Sequence, residues 1–99
     1  MMENEIKLFR LYTGEELIAR LTLMENGDYF ARNLTILIPT QSNSLGLAPF
    51  MPYTTIAETG VELKAKDVMF ITSPVSELSD RYKEIHGDLI TPPEKRIIL

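Results

Sequence analysis

Residues 16–39, ELIARLTLMENGDYFARNLTILIP, decide the fold because they predict two long β-strands joined by a tight turn. In the first strand every second residue is apolar, so one face is continuously apolar and is expected to line the core. The residues on that face are Leu17, Ala19, Leu21 and Leu23. The Asn26-Gly27 pair tolerates positive φ at both central positions of a turn, which is a strong hairpin signal. The stretch therefore predicts an antiparallel hairpin.

Strand signals continue on both sides of this hairpin. The strand after the turn covers residues 29–38, is predicted to bend near Asn33, and is ended by Pro39. Upstream, residues 6–12 are rich in strand formers, and Thr13-Gly14 predicts a turn into the next strand. Three consecutive antiparallel strands form a meander.

Two further strands are predicted downstream. Residues 45–56 favour β structure but contain Pro49 and Pro52, which cannot donate to a ladder, so an edge position is expected. Residues 61–72 predict a fifth strand, with a charged middle at residues 64–67. The pattern indicates an all-β fold, a small five-stranded, strongly bent antiparallel barrel.

A C-terminal helix is predicted to begin at Ser73-Pro74, because serine caps free N–H groups and proline lacks an N–H at the first helical position. Apolar residues at helical spacing, followed by Gly87, place this helix at about 74–86. Residues 88–99 are predicted to be an extended tail that ends in Ile97-Ile98-Leu99. Residues 1–99 are predicted to form a single domain, with the barrel over about 5–72.

Composition restricts the classes of function. The 99 residues are 44% hydrophobic and 24% charged, and no apolar run reaches the roughly 18 residues that cross a bilayer, so no membrane contact is expected. The acidic N-terminus does not resemble a secretory signal and there is no cysteine, which favours the cytoplasm. A net charge of −4 and a pI of about 4.9 oppose general binding of nucleic acid, and no DNA partner is expected.

A family resemblance rests on residues 63–71, LKAKDVMFI. This run resembles the second motif of Sm-like (LSm-like) proteins, in which an apolar residue, Arg-Gly and two polar residues precede valine and an apolar run. Residues 6–38, with a glycine turn after the first strand, are similar to that family's first motif. The chain is also similar to small uncharacterised proteins of marine tailed phages, and a phage origin would place it in the cytoplasm of the host cell. The resemblance implies a barrel that assembles into homo-oligomeric rings through edge strands, commonly with single-stranded RNA around the pore.

The resemblance implies RNA-contacting residues at four positions, which are Lys64, Lys66, Tyr29 and Asn33. Lys64 stands where the family has arginine, and lysine keeps the charge but loses the planar fork that brackets a base. Ala65 stands where the family has glycine, and Asn33 matches the family's asparagine only if the strand is shifted. Tyr29 could stack on a base but also fits a cross-strand packing position. Both lysines also fit solvated strand positions or edge residues that discourage pairing.

The predicted subunit interface combines the edge segment with the tail. Phe50, Met51 and Tyr53 give the edge segment the apolar content that is typical of interaction surfaces. The apolar tail residues Ile97, Ile98 and Leu99 are expected to cover that surface or to reach a neighbouring subunit. The alternative is that the helix or the tail of the same subunit covers it.

Catalysis has little support in the sequence. There is no cysteine nucleophile, and His86 lies where the end of a helix favours a cation. The carboxylates show no acid and base spacing, and there is no glycine-rich phosphate loop or metal-binding cluster. No enzyme activity, cofactor or metal is therefore predicted. The predicted function is a homo-oligomeric assembly or binding module of the Sm-like type, and the alternative is a single-stranded RNA-binding ring.

Overall fold

A computed structural model of the protein describes residues 2–42 and 44–86. The elements within these residues are β1 (Glu5–Leu11), β2 (Glu16–Leu23), β3 (Tyr29–Pro39), β4 (Leu45–Pro49), α1 (Ile56–Thr59), β5 (Val61–Leu63), β6 (Val68–Thr72) and α2 (Ser76–Ile85). A short 3-10 turn, Ala65–Asp67, separates β5 from β6. The predicted β-rich fold with a C-terminal helix is confirmed.

The strands form an antiparallel sheet in the order β4-β3-β2-β1-β6, and β5 pairs with the first half of β3. The sheet has 6 strands and is open, with β4 and β6 at opposite ends. The predicted closed barrel of five strands is therefore corrected on two points, the number of strands and the closure.

The additional strand arises because the predicted fifth strand turns at its charged middle. The Asp67 N–H donates to the Lys64 carbonyl at 3.0 Å, which closes the 3-10 turn. The Asp28 carboxylate accepts from the Ala65 N–H at 2.9 Å and thereby holds the same turn from the neighbouring hairpin. The turn directs β5 to β3 and β6 to β1. The turn was not predicted because the strand-like residue pattern continues on both sides of it.

Both hairpins close with the same kind of turn. In the first, the Gly14 N–H donates to the Leu11 carbonyl at 2.9 Å, and in the second the Gly27 N–H donates to the Met24 carbonyl at 3.0 Å. Only the glycine of each turn has positive φ, +108° at Gly14 and +92° at Gly27. This is the three-residue loop with a glycine bulge, and the expected positive φ at Asn26 is not found.

The predicted bend in β3 is confirmed at Asn33. This residue has φ +54°, and the register between β2 and β3 shifts between Ile18 and Arg20. A bulge inserts one extra residue into a strand and turns its direction. As a result, the half of β3 before Asn33 pairs with β5, and the half after it pairs with β4.

The core lies on both faces of the sheet. One face carries the main buried cluster, which consists of Phe9, Leu17, Ala19, Leu21, Ala31 and Leu34. The opposite face buries Ile18 and Thr35, which are cross-strand partners, together with Tyr82 of α2. The predicted apolar face of β2 is confirmed from Leu17 to Leu21, whereas Leu23 is exposed.

The predicted edge strand over residues 45–56 ends early. β4 stops at Pro49, and Met51 has φ +56°, which a continuing strand does not allow. The chain then forms the single-turn helix α1, which the sequence pattern did not predict. Two prolines in four residues remove the ladder donors that would have extended the strand.

Helix α2 begins later than predicted. Val75 is its N-cap residue, and Pro74 therefore lies outside the helix. The Ser73 hydroxyl accepts from Lys7 Nζ at 3.1 Å and does not cap the helix. The tail and its residues Ile97, Ile98 and Leu99 lie outside the described residues.

Candidate functional site

The four predicted RNA-contacting residues do not form one cluster. Lys64 lies 3.7 Å from the Asp28 carboxylate, and Lys66 lies 3.3 Å from that of Asp67. Tyr29 is opposite Leu63, next to Lys64 along the chain, and its side chain packs against the core cluster. Asn33 instead lines a groove with Phe30 and Arg32. Tyr29 and the lysines are thus neighbours, and Asn33 belongs to a different surface.

The residues of the predicted subunit interface also have different environments. Phe50 is half-buried against the core cluster, and its N–H donates to the Leu34 carbonyl at 3.1 Å. Met51 and Tyr53 are exposed, Tyr53 at 79%. An apolar surface is therefore present at Met51 and Tyr53, whereas Phe50 contributes to folding.

The outer edge of β4 is partly blocked. The Phe50 N–H donates to the Leu34 carbonyl of β3, and the Ser44 carbonyl accepts from the Thr40 N–H just after β3. Even-numbered residues of the segment 44–50 therefore point their backbone groups at β3. Leu45, Leu47 and Pro49 consequently point theirs outwards. Arg81 of α2 donates to the Leu45 carbonyl at 2.7 Å, and Pro49 has no N–H. Leu47 is left as the centre of this edge.

The outer edge of β6 is more open. Arg10 and Leu8 of β1 are paired with Phe70 and Thr72, and the adjacent Tyr12 N–H donates to the Asp67 carbonyl at 3.0 Å. The register between β1 and β6 shifts between Arg10 and Leu11, so Met69 is an extra residue in a bulge of β6 and has no partner on β1. By the alternation of an antiparallel ladder, the backbone groups of Ile71 point away from β1. No other strand in residues 2–42 and 44–86 pairs with the outer edge of β6.

Exposed apolar side chains accompany the open edge of β6. Met69 is 46% exposed and Phe70 is 53% exposed, although they occupy the middle of a strand. A run of four apolar residues, Val68, Met69, Phe70 and Ile71, is typical of a buried strand. Only Val68 and Ile71 of the four pack against the core cluster.

A polar groove of about 830 Å³ lies on the sheet face opposite the main cluster. Its charged lining residues are Arg20, Arg32 and Glu3, and its uncharged lining residues are Asn4, Thr22, Phe30 and Asn33. Arg20 and Thr22 come from β2, and Phe30 and Arg32 are their cross-strand partners on β3. We call this surface the arginine groove.

Backbone contacts hold the walls of the arginine groove. Asn4 has φ +53°, and its N–H donates to the Thr22 hydroxyl at 2.8 Å. The Asn4 carbonyl accepts from the Arg20 guanidinium at 3.2 Å. On the other side, the Tyr82 hydroxyl lies 3.2 Å from the Arg32 carbonyl and 2.9 Å from the Asn33 carbonyl. The groove is therefore built on fixed backbone.

Sequence reasoning did not identify Arg20 or Arg32 as site residues. The two-residue period of β2 puts Arg20 on the face opposite Leu17, Ala19 and Leu21, but the register that brings it opposite Arg32 depends on the turn at Gly27. A hairpin pairing centred on Asn26 would have paired these two arginines.

Other kinds of site find little support in the described part of the chain. Within residues 2–42 and 44–86, no group of three or more histidine, cysteine, aspartate or glutamate side chains could hold a metal ion. His86 Nε2 lies 2.9 Å from the Thr35 hydroxyl, and the Thr35 hydroxyl also donates to the Asn33 carbonyl, so this histidine helps to attach α2 to the sheet. No helix in these residues has the length and apolar character needed to cross a bilayer.

Comparison with known proteins gives no assignment. No protein-family model matches the chain, and no curated protein has significant sequence similarity to it.

Proposed function

We propose that the protein is a homo-oligomeric assembly module of the Sm-like type, in which β6 of one copy pairs with β4 of the next. The observation that carries this proposal is the open outer edge of β6 at Ile71 and at the bulge residue Met69, together with the exposed side chains of Met69 and Phe70. Unpaired strand edges are templates for pairing with another chain, and folded proteins usually cover or charge them.

The two ends of the sheet are not equivalent, which favours a head-to-tail contact. Arg81 and Pro49 restrict pairing on the β4 edge to the vicinity of Leu47, whereas β6 offers Met69 and Ile71. A contact between two different edges repeats from copy to copy, and it closes into a ring when the rotation between copies allows. The strand order of this sheet is compatible with such a ring.

The assembly proposal predicts that Met69→Pro converts the oligomer to a monomer without unfolding it. Met69 is the extra residue of the β6 bulge and has no partner on β1, so proline there is expected to leave the β1–β6 ladder in place and to block pairing along the outer edge. Val68 has φ −99° and ψ 120°, which is the backbone region that a residue before proline requires. Mass measurement by light scattering and far-UV circular dichroism would test both parts.

Two further variants make this test specific. Met69→Leu keeps the N–H and the apolar surface, and the oligomer is expected to persist. Met51→Ser combined with Tyr53→Ser removes the exposed part of the other candidate interface. A monomeric wild-type protein at high concentration would refute the proposal, and a monomer produced only by the Met51 and Tyr53 variant would move the interface to that surface.

A single-stranded RNA-binding ring is the second candidate. It is favoured by the position of Lys64 and Lys66, which are exposed on the turn beside Tyr29. Both lysines have a carboxylate partner, so RNA would have to displace Asp28 and Asp67. Exposed ion pairs contribute only about 0–1 kcal/mol, so a phosphate group could displace the Asp28 and Asp67 carboxylates at little cost in free energy.

The RNA candidate predicts salt-sensitive binding of U-rich or A-rich oligonucleotides, reduced in a Lys64→Gln, Lys66→Gln double variant. Loss of two phosphate contacts on a single strand should lower the slope of log affinity against log salt by about 1.4. Fluorescence anisotropy at several salt concentrations measures this slope. An absence of binding at low salt, where screening is weakest, would eliminate this candidate.

A further inference from the structure

We infer that the arginine groove is a binding site for a nucleoside phosphate, with Arg20 and Arg32 holding the phosphate and Phe30 contacting the base. This site is separate from the turn that carries Lys64 and Lys66, and it does not depend on assembly. The ligand could be a free nucleotide or one unit of a single strand, since both present the same phosphate and base.

The first step is the pairing of two arginines directly across the β2–β3 ladder. Like charges at opposed positions of a ladder repel each other and destabilise the sheet. Arg32 is exposed, and none of the described residues forms an ion pair with its guanidinium. An anion between the two guanidinium groups would turn this repulsion into attraction.

The second step is the contrast with the rest of the chain, which has a net charge of −4. Several basic residues elsewhere lie close to carboxylates, as in the pairs Arg10–Glu16 and Lys7–Glu5. The described lining of the arginine groove contains two arginines and one carboxylate, that of Glu3, and within the described residues Arg32 forms no ion pair. Guanidinium groups bind phosphate through paired N–H donors, so the groove offers a local site for one phosphate on an acidic protein.

The third step is the uncharged part of the lining. Phe30 supplies an aromatic ring, and the Asn4 and Asn33 side chains supply amides that can both donate and accept hydrogen bonds. Aromatic rings stack on bases, and amides bind their polar edges. Inorganic phosphate or an acidic peptide would use the arginines but would make no use of the aromatic ring of Phe30 in binding. The volume of about 830 Å³ lies within the usual range of small-ligand sites, about 300–1,000 Å³.

Phe30 is also held in place. A Cβ on Gly60 would lie 2.3 Å from Phe30 Cζ, so the ring packs directly against the glycine backbone. A ring fixed before binding loses little conformational entropy when a base contacts it.

The test is a titration of the full chain with inorganic phosphate, with 5′-AMP and with short oligouridylate and oligoadenylate RNA, followed by NMR amide shifts and calorimetry. We expect the nucleotide or the RNA to bind more tightly than phosphate and to shift amides of β2 and β3 near Arg20 and Arg32. A stronger response to 5′-AMP identifies a free nucleotide as the ligand, and a stronger response to the RNA identifies a single strand.

Four variants test which residues bind. Arg32→Gln should weaken binding by about 10-fold, which corresponds to the loss of one charge-assisted hydrogen-bonding group. Arg20→Gln should also weaken binding, Arg32→Lys should restore part of it, and Phe30→Leu should weaken nucleotide binding without changing phosphate binding. Arg32 is exposed and its replacement removes the repulsion across the ladder, so Arg32→Gln is expected to melt at or slightly above the wild-type temperature.

The matched control is Lys64→Gln, which removes one exposed cation from the other surface. Binding that survives Lys64→Gln and falls in Arg32→Gln supports the inference. It is overturned if no nucleotide or RNA binds at low salt, if the Lys64 variant alone loses binding, or if phosphate or an acidic peptide binds as tightly as 5′-AMP and the RNA. The Lys64 outcome would instead support the RNA ring, so the two hypotheses are separable.

Discussion

Gly60→Ala is expected to destabilise the fold by about 2–6 kcal/mol, the sum of a backbone strain and an overpacking cost. Gly60 has φ +87° and ψ 164°, a region of backbone conformation that is essentially restricted to glycine. Its new methyl group would also lie 2.3 Å from Phe30 Cζ and 3.2 Å from the Ala31 carbonyl oxygen. A loss of this size should lower the melting temperature by more than about 10 °C.

Two variants separate the strain from the steric contact. Gly14→Ala also places a residue at positive φ, +108°, but its Cβ would meet no atom within 4 Å, so only the strain is expected. Gly60→Ala combined with Phe30→Leu should recover part of the loss if the clash with the ring contributes. Thermal and urea denaturation measure all three variants. Equal losses for Gly14→Ala and Gly60→Ala would show that the contact with Phe30 has no energetic role.

Tyr82→Ala is expected to cost about 3–5 kcal/mol, because it empties a fully buried aromatic site between α2 and the sheet. The same change removes the hydroxyl that contacts the Arg32 and Asn33 carbonyls at the bulge of β3. Tyr82→Phe isolates this second contribution and should cost about 1–3 kcal/mol, as expected when a buried polar group loses its partner. Urea denaturation followed by circular dichroism measures both losses.

Ile85→Ala is the control for the same helix. Ile85 is 53% exposed, so its truncation should change stability by less than about 0.5 kcal/mol. If Tyr82→Ala and Ile85→Ala had similarly small effects, α2 would not be anchored to the sheet through Tyr82. NMR shifts at Asn33 in Tyr82→Phe would further show whether the hydroxyl holds the bulge.

The Gly60 and Tyr82 predictions both concern contacts to residues 30–33 of β3. Gly60 packs against Phe30, and Tyr82 holds the backbone of Arg32 and Asn33. Both contacts fix residues of the arginine groove, and a precise arrangement of binding groups requires such support from residues behind them. Loss of stability and loss of nucleotide binding are therefore expected together in these variants, whereas Arg32→Gln should affect binding alone.

Local signals explain why much of the fold was predictable. The meander, the turn glycines, the bend near Asn33 and the C-terminal helix each depend on residues within a few positions of one another. The period of apolar residues and the backbone freedom of glycine act at this range. The split of residues 61–72 was missed because the Asp28 carboxylate that holds the turn comes from a hairpin far away in the sequence.

By itself, the sequence determined the antiparallel order of the first three strands and the position of their turns, because periodicity and turn chemistry are local. Only the tertiary structure decided that Met24 pairs with Asp28, which sets Arg20 opposite Arg32. A two-residue turn would instead have paired Arg20 with Asn33. Since side chains alternate between faces, a register change of one residue alters every cross-strand pair. The register of the arginine groove depends on the loop length at one turn, for which the sequence allowed two choices, whereas the open edge of β6 depends on pairing with β1, far away in the sequence, which no local pattern specifies.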